Sequence, residues 1–252
     1  MSLEAIVRPN INNVKSLMHP RISAAFLTPT QKAITMTTKA ILFGSIGTLV
    51  ETSELQRRAF NQAFSEAGLD WNWSADDYQH LLTKSGGRKR VQDFASQQNI
   101  DVDAQHLHHR KTEIFDTLMA KEKLMLRPGV ASVISYAMHN NLLLAFVTST
   151  SEANVAAVFC ALGDQVKSSD FNFIGNDLMV SDPKPNPAIY QKALSVLNLN
   201  ARNCIAIEDT VSSMSAALAA GIRCIGFPGA FAVTSDFSGA MLVTDHLSPD
   251  QV

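Results

Sequence analysis

Residues 40–50 read AILFGSIGTLV, and this stretch indicates the fold. Its first four residues, Ala40–Phe43, form a continuous apolar run, which is typical of a strand buried on both faces of a parallel sheet. Gly44 and Ser45 end the run abruptly, as a turn after a strand would. We therefore expect an α/β protein in which this run forms the first strand.

The rest of the chain alternates short apolar runs with helical patterns. Six strands are predicted, at Ala40–Phe43, Leu142–Val147, Asn172–Ile174, Cys204–Ile207, Arg223–Phe227 and Met241–Val243. Helices are predicted at 151–163, 187–198 and 211–220. Right-handed crossovers would arrange these elements into a doubly wound, mostly parallel, Rossmann-like α/β sheet, with the ligand site at the carboxyl ends of its strands.

Residues 53–126 interrupt this alternation. They contain no convincing strand, and apolar side chains recur in them at helical spacing, beginning with Leu55, Ala59 and Phe60. We predict a helical cap at 53–126, inserted into an α/β core formed by 36–52 and 127–252. Such an insertion would stand over the carboxyl ends of the strands and act as a lid on the site.

Residues 1–35 differ from the rest, because they carry four basic residues against the single acid Glu4 and are interrupted by prolines. We predict a disordered leader or an upstream extension, with Met36 as the natural start. An organelle transit peptide and a docking arm are the alternatives.

The composition excludes several classes of function. The chain has 252 residues, of which 46% are hydrophobic and 17% charged, so it should fold as a soluble globular protein. Its net charge of −2 offers no basic field for nucleic acid, and its longest apolar run, Leu142–Val147, is too short to span a membrane. Three widely spaced cysteines indicate reduced thiols. A cytoplasmic location is expected, with an organelle as the alternative.

Four motifs follow one another along the chain. They are FGSIGTLV at 43–50, VTS at 147–149, KPNP at 184–187 and IEDT at 207–210. In order and content they resemble the four motifs of the haloacid dehalogenase superfamily of phosphatases and phosphomutases, over residues 39–247. The stretches ETSELQRRAFN at 51–61, RPGV at 127–130 and FSGA at 237–240 are similar to its CbbY-like sugar-phosphate phosphatases.

The first motif departs from the family pattern Asp-x-Asp-x-Thr. Gly44 and Ile46 stand where the family has its nucleophilic and acid/base aspartates. Losing both commonly costs on the order of 10⁶ in rate. Ser45 lies between them, and side-chain alternation predicts that its hydroxyl points away from the site. A glycine-rich phosphate loop is a weaker reading, because no Walker-type lysine follows.

The other motifs are retained. The resemblance assigns phosphate binding to five residues, namely Thr148, Ser149, Lys184, Gly47 and Thr48. It assigns Mg²⁺ to Glu208 and Asp209. Contacts of the cap with substrate are predicted for Glu51, Gln56, Arg88 and Arg90, although the family often has a histidine where Gln56 stands. For the two arginines, which follow the turn Gly86-Gly87, a basic helix start on a solvated face is the alternative. Purely structural roles are the alternative, since a threonine at a strand end often caps a helix.

The missing carboxylates change the charge of the predicted pocket. The intact motif set counts four carboxylates and one lysine, whereas Glu208 and Asp209 against Lys184 leave about −1. Mg²⁺ binding is therefore expected to be weak or to depend on a phosphorylated ligand.

Two further groups are given structural roles. Of His106, His108 and His109, only the first and last share a helix face, and we expect a surface helix and no metal site. Trp71 and Trp73 are expected to pack within the cap, with an aromatic wall for a sugar as the alternative.

Three functions are compatible with these observations. The first is a catalytically impaired phosphatase that binds a small phosphorylated metabolite such as a sugar phosphate. The second is a Mg²⁺-dependent phosphohydrolase that works by a non-standard route, in which water attacks directly. The third is a scaffolding subunit that binds a protein partner.

Overall fold

The computed structural model describes residues 37–82, 86–122 and 124–252. The predicted leader at 1–35 lies outside these residues. The strands are β1 (Ala40–Phe43), β2 (Leu143–Phe146), β3 (Phe173–Ile174), β4 (Cys204–Glu208), β5 (Arg223–Gly226) and β6 (Leu242–Val243). The helices are α1 (Ile46–Leu49), α2 (Ser53–Glu66), α3 (Ala75–Leu81), α4 (Gly87–Gln98), α5 (Ala104–Lys121), α6 (Val130–His139), α7 (Glu152–Leu162), α8 (Ala188–Leu197) and α9 (Val211–Ala219).

The strands form one parallel sheet in the order β3-β2-β1-β4-β5-β6. The predicted α/β fold class is confirmed, and the predicted strand positions agree with the structure to within a residue or so at each end. The chain moves outward in one direction from β1 to β3 and in the other from β4 to β6. Ligand sites of doubly wound sheets lie at such a reversal, here between β1 and β4.

Helices cover both faces of the sheet. Ile41 and Phe43 of β1 belong to one buried cluster, with side chains of α6 and α7, whereas Ala40 and Leu42 belong to a second, with side chains of α8 and α9. Successive side chains of a strand point to opposite faces, so a fully apolar β1 can contribute to both cores. This burial fixes the strand that leads into the site.

Helices α2–α5 follow β1 and α1 in the chain and are here called the insertion. The strands β1–β6 and the helices α1 and α6–α9 are here called the sheet domain. Within the described residues the insertion contains no strand. An aromatic cluster forms its core, in which the ring centroids of Phe64 and Trp73 are 4.7 Å apart and those of Phe60 and Trp73 4.9 Å apart. Trp71 packs against Phe64 and Phe94 in the same cluster. The expected packing role of both tryptophans is therefore confirmed.

No helix in the described ranges is both long enough and apolar enough to cross a membrane.

Candidate functional site

A cavity of about 620 Å³ lies between the carboxyl ends of the strands and the insertion. Among the described residues, the sheet domain supplies its acids, Asp209 and Asp236. The insertion supplies its basic side chains, Arg90, His108 and Lys111. The two ends of the cavity therefore differ in charge.

The space beside Gly44 is filled by Glu208. A Cβ atom built on Gly44 would overlap the carboxylate of Glu208, which is 0% exposed. Oε1 of Glu208 accepts hydrogen bonds from Lys184 Nζ at 2.6 Å and from Tyr190 Oη at 2.5 Å. Lys184 Nζ also donates to the Gly44 carbonyl at 2.5 Å. The position that the resemblance assigns to the family's nucleophile is thus closed by an ion pair.

Burial dominates the electrostatics of this pair. It raises the pKa of Glu208 to about 7, although the Lys184 ammonium favours the ionised carboxylate. Oε2 of Glu208 is buried and has no hydrogen-bond partner within the described residues. Lys184 is 8% exposed and does not form part of the cavity wall, which disagrees with its predicted contact with phosphate.

The prediction that the Ser45 hydroxyl points away from the site was wrong. Its side chain lines the cavity, and its Oγ donates to Asp209 Oδ1 at 2.6 Å. Burial raises the pKa of Asp209, and the hydrogen bond from Ser45 opposes that shift. A Cβ on Gly47 would overlap the Asp209 carboxylate, so glycine is required there by close approach.

The three threonine and serine predictions have different outcomes. Thr148 and Ser149 line the cavity, and Thr148 Oγ1 accepts from the backbone N–H of Thr150 at 3.2 Å. Thr48, in contrast, is fully buried and donates to the Ser45 carbonyl at 2.7 Å. Its position corrects the phosphate-binding prediction, because its hydroxyl stabilises the turn after β1 and does not line the cavity.

The residues of the cap that were predicted to contact substrate also have different outcomes. Arg90 and Gln56 line the cavity, whereas Arg88 is exposed beside a separate surface depression, which corrects its assignment to the site. Glu51 lies at the start of the insertion, where its carboxylate accepts from the N–H groups of Ser53 at 2.7 Å and Ala230 at 2.6 Å. These bonds tie the start of the insertion to the loop after β5.

Two residues of the insertion that were not predicted from the sequence as part of the site, Lys111 and His108, line the cavity. Lys111 Nζ donates to Gln56 Oε1 and lies 4.9 Å from the ring centroids of both Phe60 and Phe115. His108, expected on a surface, lines the cavity one turn before it. Their i, i+3 spacing places them on one helix face and was the available signal.

Comparisons with known proteins agree with this geometry. The family model described as haloacid dehalogenase-like hydrolase matches residues 41–227. The chain belongs to the haloacid dehalogenase-like hydrolase family. CbbY of Cereibacter sphaeroides is 40% identical over 213 residues, covering 83% of this chain and 93% of that protein. A CBBY-like protein of Arabidopsis thaliana is 32% identical over 84% of this chain and 70% of its own length.

Solved structures of the family show the same fold. CbbY from Rhodobacter sphaeroides in complex with phosphate is 39% identical and superposes with a TM-score of 0.76, over 83% of this chain and 95% of that one. A substituted form of the same protein was solved with xylulose-(1,5)bisphosphate, also at a TM-score of 0.76.

The residues of this haloacid dehalogenase-like chain do not fit a resident Mg²⁺. Oε1 of Glu208 already accepts from Lys184 and Tyr190, and Oδ1 of Asp209 accepts from Ser45. Within the described ranges, no group of three or more His, Cys, Asp or Glu side chains could hold a metal. Mg²⁺ prefers octahedral oxygen ligands, and this set offers too few.

Proposed function

We propose that this protein binds a sugar phosphate in the cavity and does not carry out the family's aspartyl phosphoryl transfer. The main support for the proposal is the position of the Glu208 carboxylate, which fills the space beside Gly44 and is held there by Lys184. Neither an attacking carboxylate at position 44 nor a proton donor at Ile46 is present. The lysine that would neutralise a transferred phosphoryl group is bound to a carboxylate.

The charges of the cavity support a defined orientation of the ligand. Arg90, a permanent cation, is contributed by the insertion, whereas Asp209 and Asp236 lie at the sheet domain. We expect the phosphate near Arg90, and the sugar hydroxyls near Ser45 and Thr148, where hydroxyl and carboxylate oxygens offer hydrogen bonds. A cavity of about 620 Å³ is within the usual range for small ligands.

The comparisons support the ligand class. A CbbY relative, 39% identical, was solved with xylulose-(1,5)bisphosphate, and its fold covers 83% of this chain. We extend to this chain only the class, a phosphorylated sugar.

Calorimetric titration tests the proposal with two probes, xylulose 1,5-bisphosphate and xylulose 5-phosphate, each without Mg²⁺. Binding is expected for at least one of them, and Arg90→Gln is expected to weaken it at least tenfold, about 1.4 kcal/mol. Arg88→Gln is the matched control, because Arg88 is exposed outside the cavity, and it should leave the affinity unchanged. Arg90 Nε also donates a hydrogen bond to the Leu81 carbonyl at 3.0 Å, and Arg90→Lys keeps the charge while it removes this guanidinium contact.

Phosphate release, measured on the same probes, completes the test. Release that is lost in Asp209→Asn would overturn the proposal in favour of a hydrolase with a non-standard route. No binding of either probe would overturn it in favour of a scaffolding protein. The titration is then repeated with Mg²⁺, and an affinity that rises with the cation would support the ligand-dependent metal binding expected from the sequence.

A further inference from the structure

Lys111 is an amine enclosed at the cavity wall. Only 6% of the residue is exposed, yet it lines the cavity, and the rings of Phe60 and Phe115 flank its Nζ at 4.9 Å each. Its hydrogen bond to Gln56 Oε1 holds the amine in place. The phosphate-binding role proposed for Arg90 does not use this group.

The surroundings of Lys111 favour the neutral amine. Burial is the main cause and the nearby Arg90 adds to it, so the pKa of Lys111 falls to about 7, against the opposing pull of Asp116 on its own helix. The two rings favour the cation, but burial is the larger effect. His108, on the same helix, has a pKa lowered to about 4 and is neutral at pH 7. An enclosed amine in this state is a nucleophile near neutral pH.

We propose that Lys111 Nζ captures the carbonyl group of a phosphorylated aldehyde or ketone bound in the cavity, as an imine. The inference deepens the proposed function, because it rests on a sugar phosphate in its open-chain form. Phosphate near Arg90 would place the rest of such a molecule beside Lys111, since both side chains line the same cavity and interact electrostatically.

The chemical step is balanced without a further reactant. The lone pair of Nζ attacks the carbonyl carbon, a C–N bond forms, and the electron pair of the carbonyl π bond moves to oxygen. One proton passes from nitrogen to that oxygen to give the carbinolamine. The hydroxyl then leaves with the second amine proton as water, and the C=N bond forms. One carbonyl and one amine thus give one imine and one water.

Reductive trapping tests the site with pyridoxal 5′-phosphate as the probe, which carries both an aldehyde and a phosphate. The full chain is incubated with the probe and cyanoborohydride, and the modified lysines are located by peptide mass spectrometry. Lys111 is expected to be modified at least tenfold faster than the exposed Lys89 and Lys192, with a rate that rises through pH 7. Modification of the exposed lysines at the same rate as Lys111 would overturn the proposal.

Two controls distinguish this inference from the proposed function. Lys111→Met is uncharged, like the neutral amine that the surroundings favour, and cannot form an imine, so the adduct should vanish while xylulose 5-phosphate still binds noncovalently. Should this variant not fold, xylulose 1,5-bisphosphate should slow the labelling of Lys111 in the wild-type chain, and unchanged labelling would overturn the proposal. Binding without an adduct leaves the proposed function standing and refutes the imine. A chain that binds neither sugar phosphate refutes the proposed function. If unphosphorylated pyridoxal still labels Lys111 in that case, the reactivity of the amine is supported on its own.

Discussion

Gly44→Ala probes the closure on which the proposed function depends. The substitution adds a methyl group where the Glu208 carboxylate lies. Gly44 is not among the glycines with positive φ, so its backbone conformation suits an L-residue, and the effect should be steric. We expect Glu208 to be displaced from Lys184 and Tyr190.

The size of the effect follows from those two contacts. Oε1 of Glu208 accepts from Lys184 at 2.6 Å and from Tyr190 at 2.5 Å, and hydrogen bonds to a charged group contribute about 1.5–3 kcal/mol each. Their loss costs about 3–6 kcal/mol, of which about 0.4–1 kcal/mol is regained from the lower entropy of the unfolded chain. The net loss of about 2–5.6 kcal/mol would lower the melting midpoint by at least about 4 °C.

Urea denaturation measures the free energy of unfolding in a double-mutant cycle. The second background is Glu208→Ala with Lys184→Met, which removes the carboxylate without leaving an unpaired buried ammonium. In this background Gly44→Ala should cost less than about 0.5 kcal/mol, because the space is open. Gly229→Ala is the control, since its Cβ would meet only side-chain atoms, Glu51 Oε2 at 3.3 Å and Ser53 Oγ at 3.5 Å, and no buried carboxylate. A Gly44→Ala chain as stable as Gly229→Ala would refute the closure, because Glu208 would then move aside at little cost.

Two other predictions concern stability. His108 has a pKa lowered to about 4 in the fold, and in the unfolded chain it takes up a proton near pH 6.5, so its contribution is full above 6.5 and is lost as the pH falls toward 4. The free energy of unfolding is measured by urea denaturation at several pH values for wild type and His108→Gln. Between pH 6.5 and 4 the wild type should lose on the order of 2 kcal/mol more than the variant, after allowance for partial exposure. Equal losses in the two chains would contradict the prediction. Arg127 donates to the carbonyls of Gly47, Phe227 and Pro228 and stacks on the Phe227 ring. Arg127→Lys should therefore lower the free energy of unfolding by about 2–4 kcal/mol. A loss below about 0.5 kcal/mol would show that these bonds add no net stability.

The sheet could be predicted because burial on two faces leaves a simple pattern. Ala40–Phe43 is apolar at every position and coincides with β1. The error at Ser45 has a definite cause, since alternation was extended past the end of the strand. The strand ends at Phe43, and Ser45 adopts an extended conformation before the short helix α1, which turns its hydroxyl to Asp209.

The wall of the insertion could be predicted only in part. Arg88 and Arg90 are two positions apart on α4, about 200° around a helix, so only one of them can face the cavity. The sequence does not say which face is turned inward, because that depends on how α4 packs against α5. The i, i+3 spacing of His108 and Lys111 places both on one helix face, but the sequence does not say that this face is turned to the cavity, for the same reason.

The pairing of Lys184 with Glu208 changes the charge argument that the motifs suggested. Counting Glu208, Asp209 and Lys184 as one pocket gave about −1, but the first and last neutralise each other outside the cavity wall. Among the described residues, the acids that remain at the wall belong to the sheet domain, and the permanent cation at the wall, Arg90, belongs to the insertion. In the proposed function we therefore expect a phosphate to be attracted away from the strand ends, where the family's chemistry would occur. The missing carboxylates at Gly44 and Ile46 and this change in the attraction would act in the same direction, toward the proposed binding without transfer.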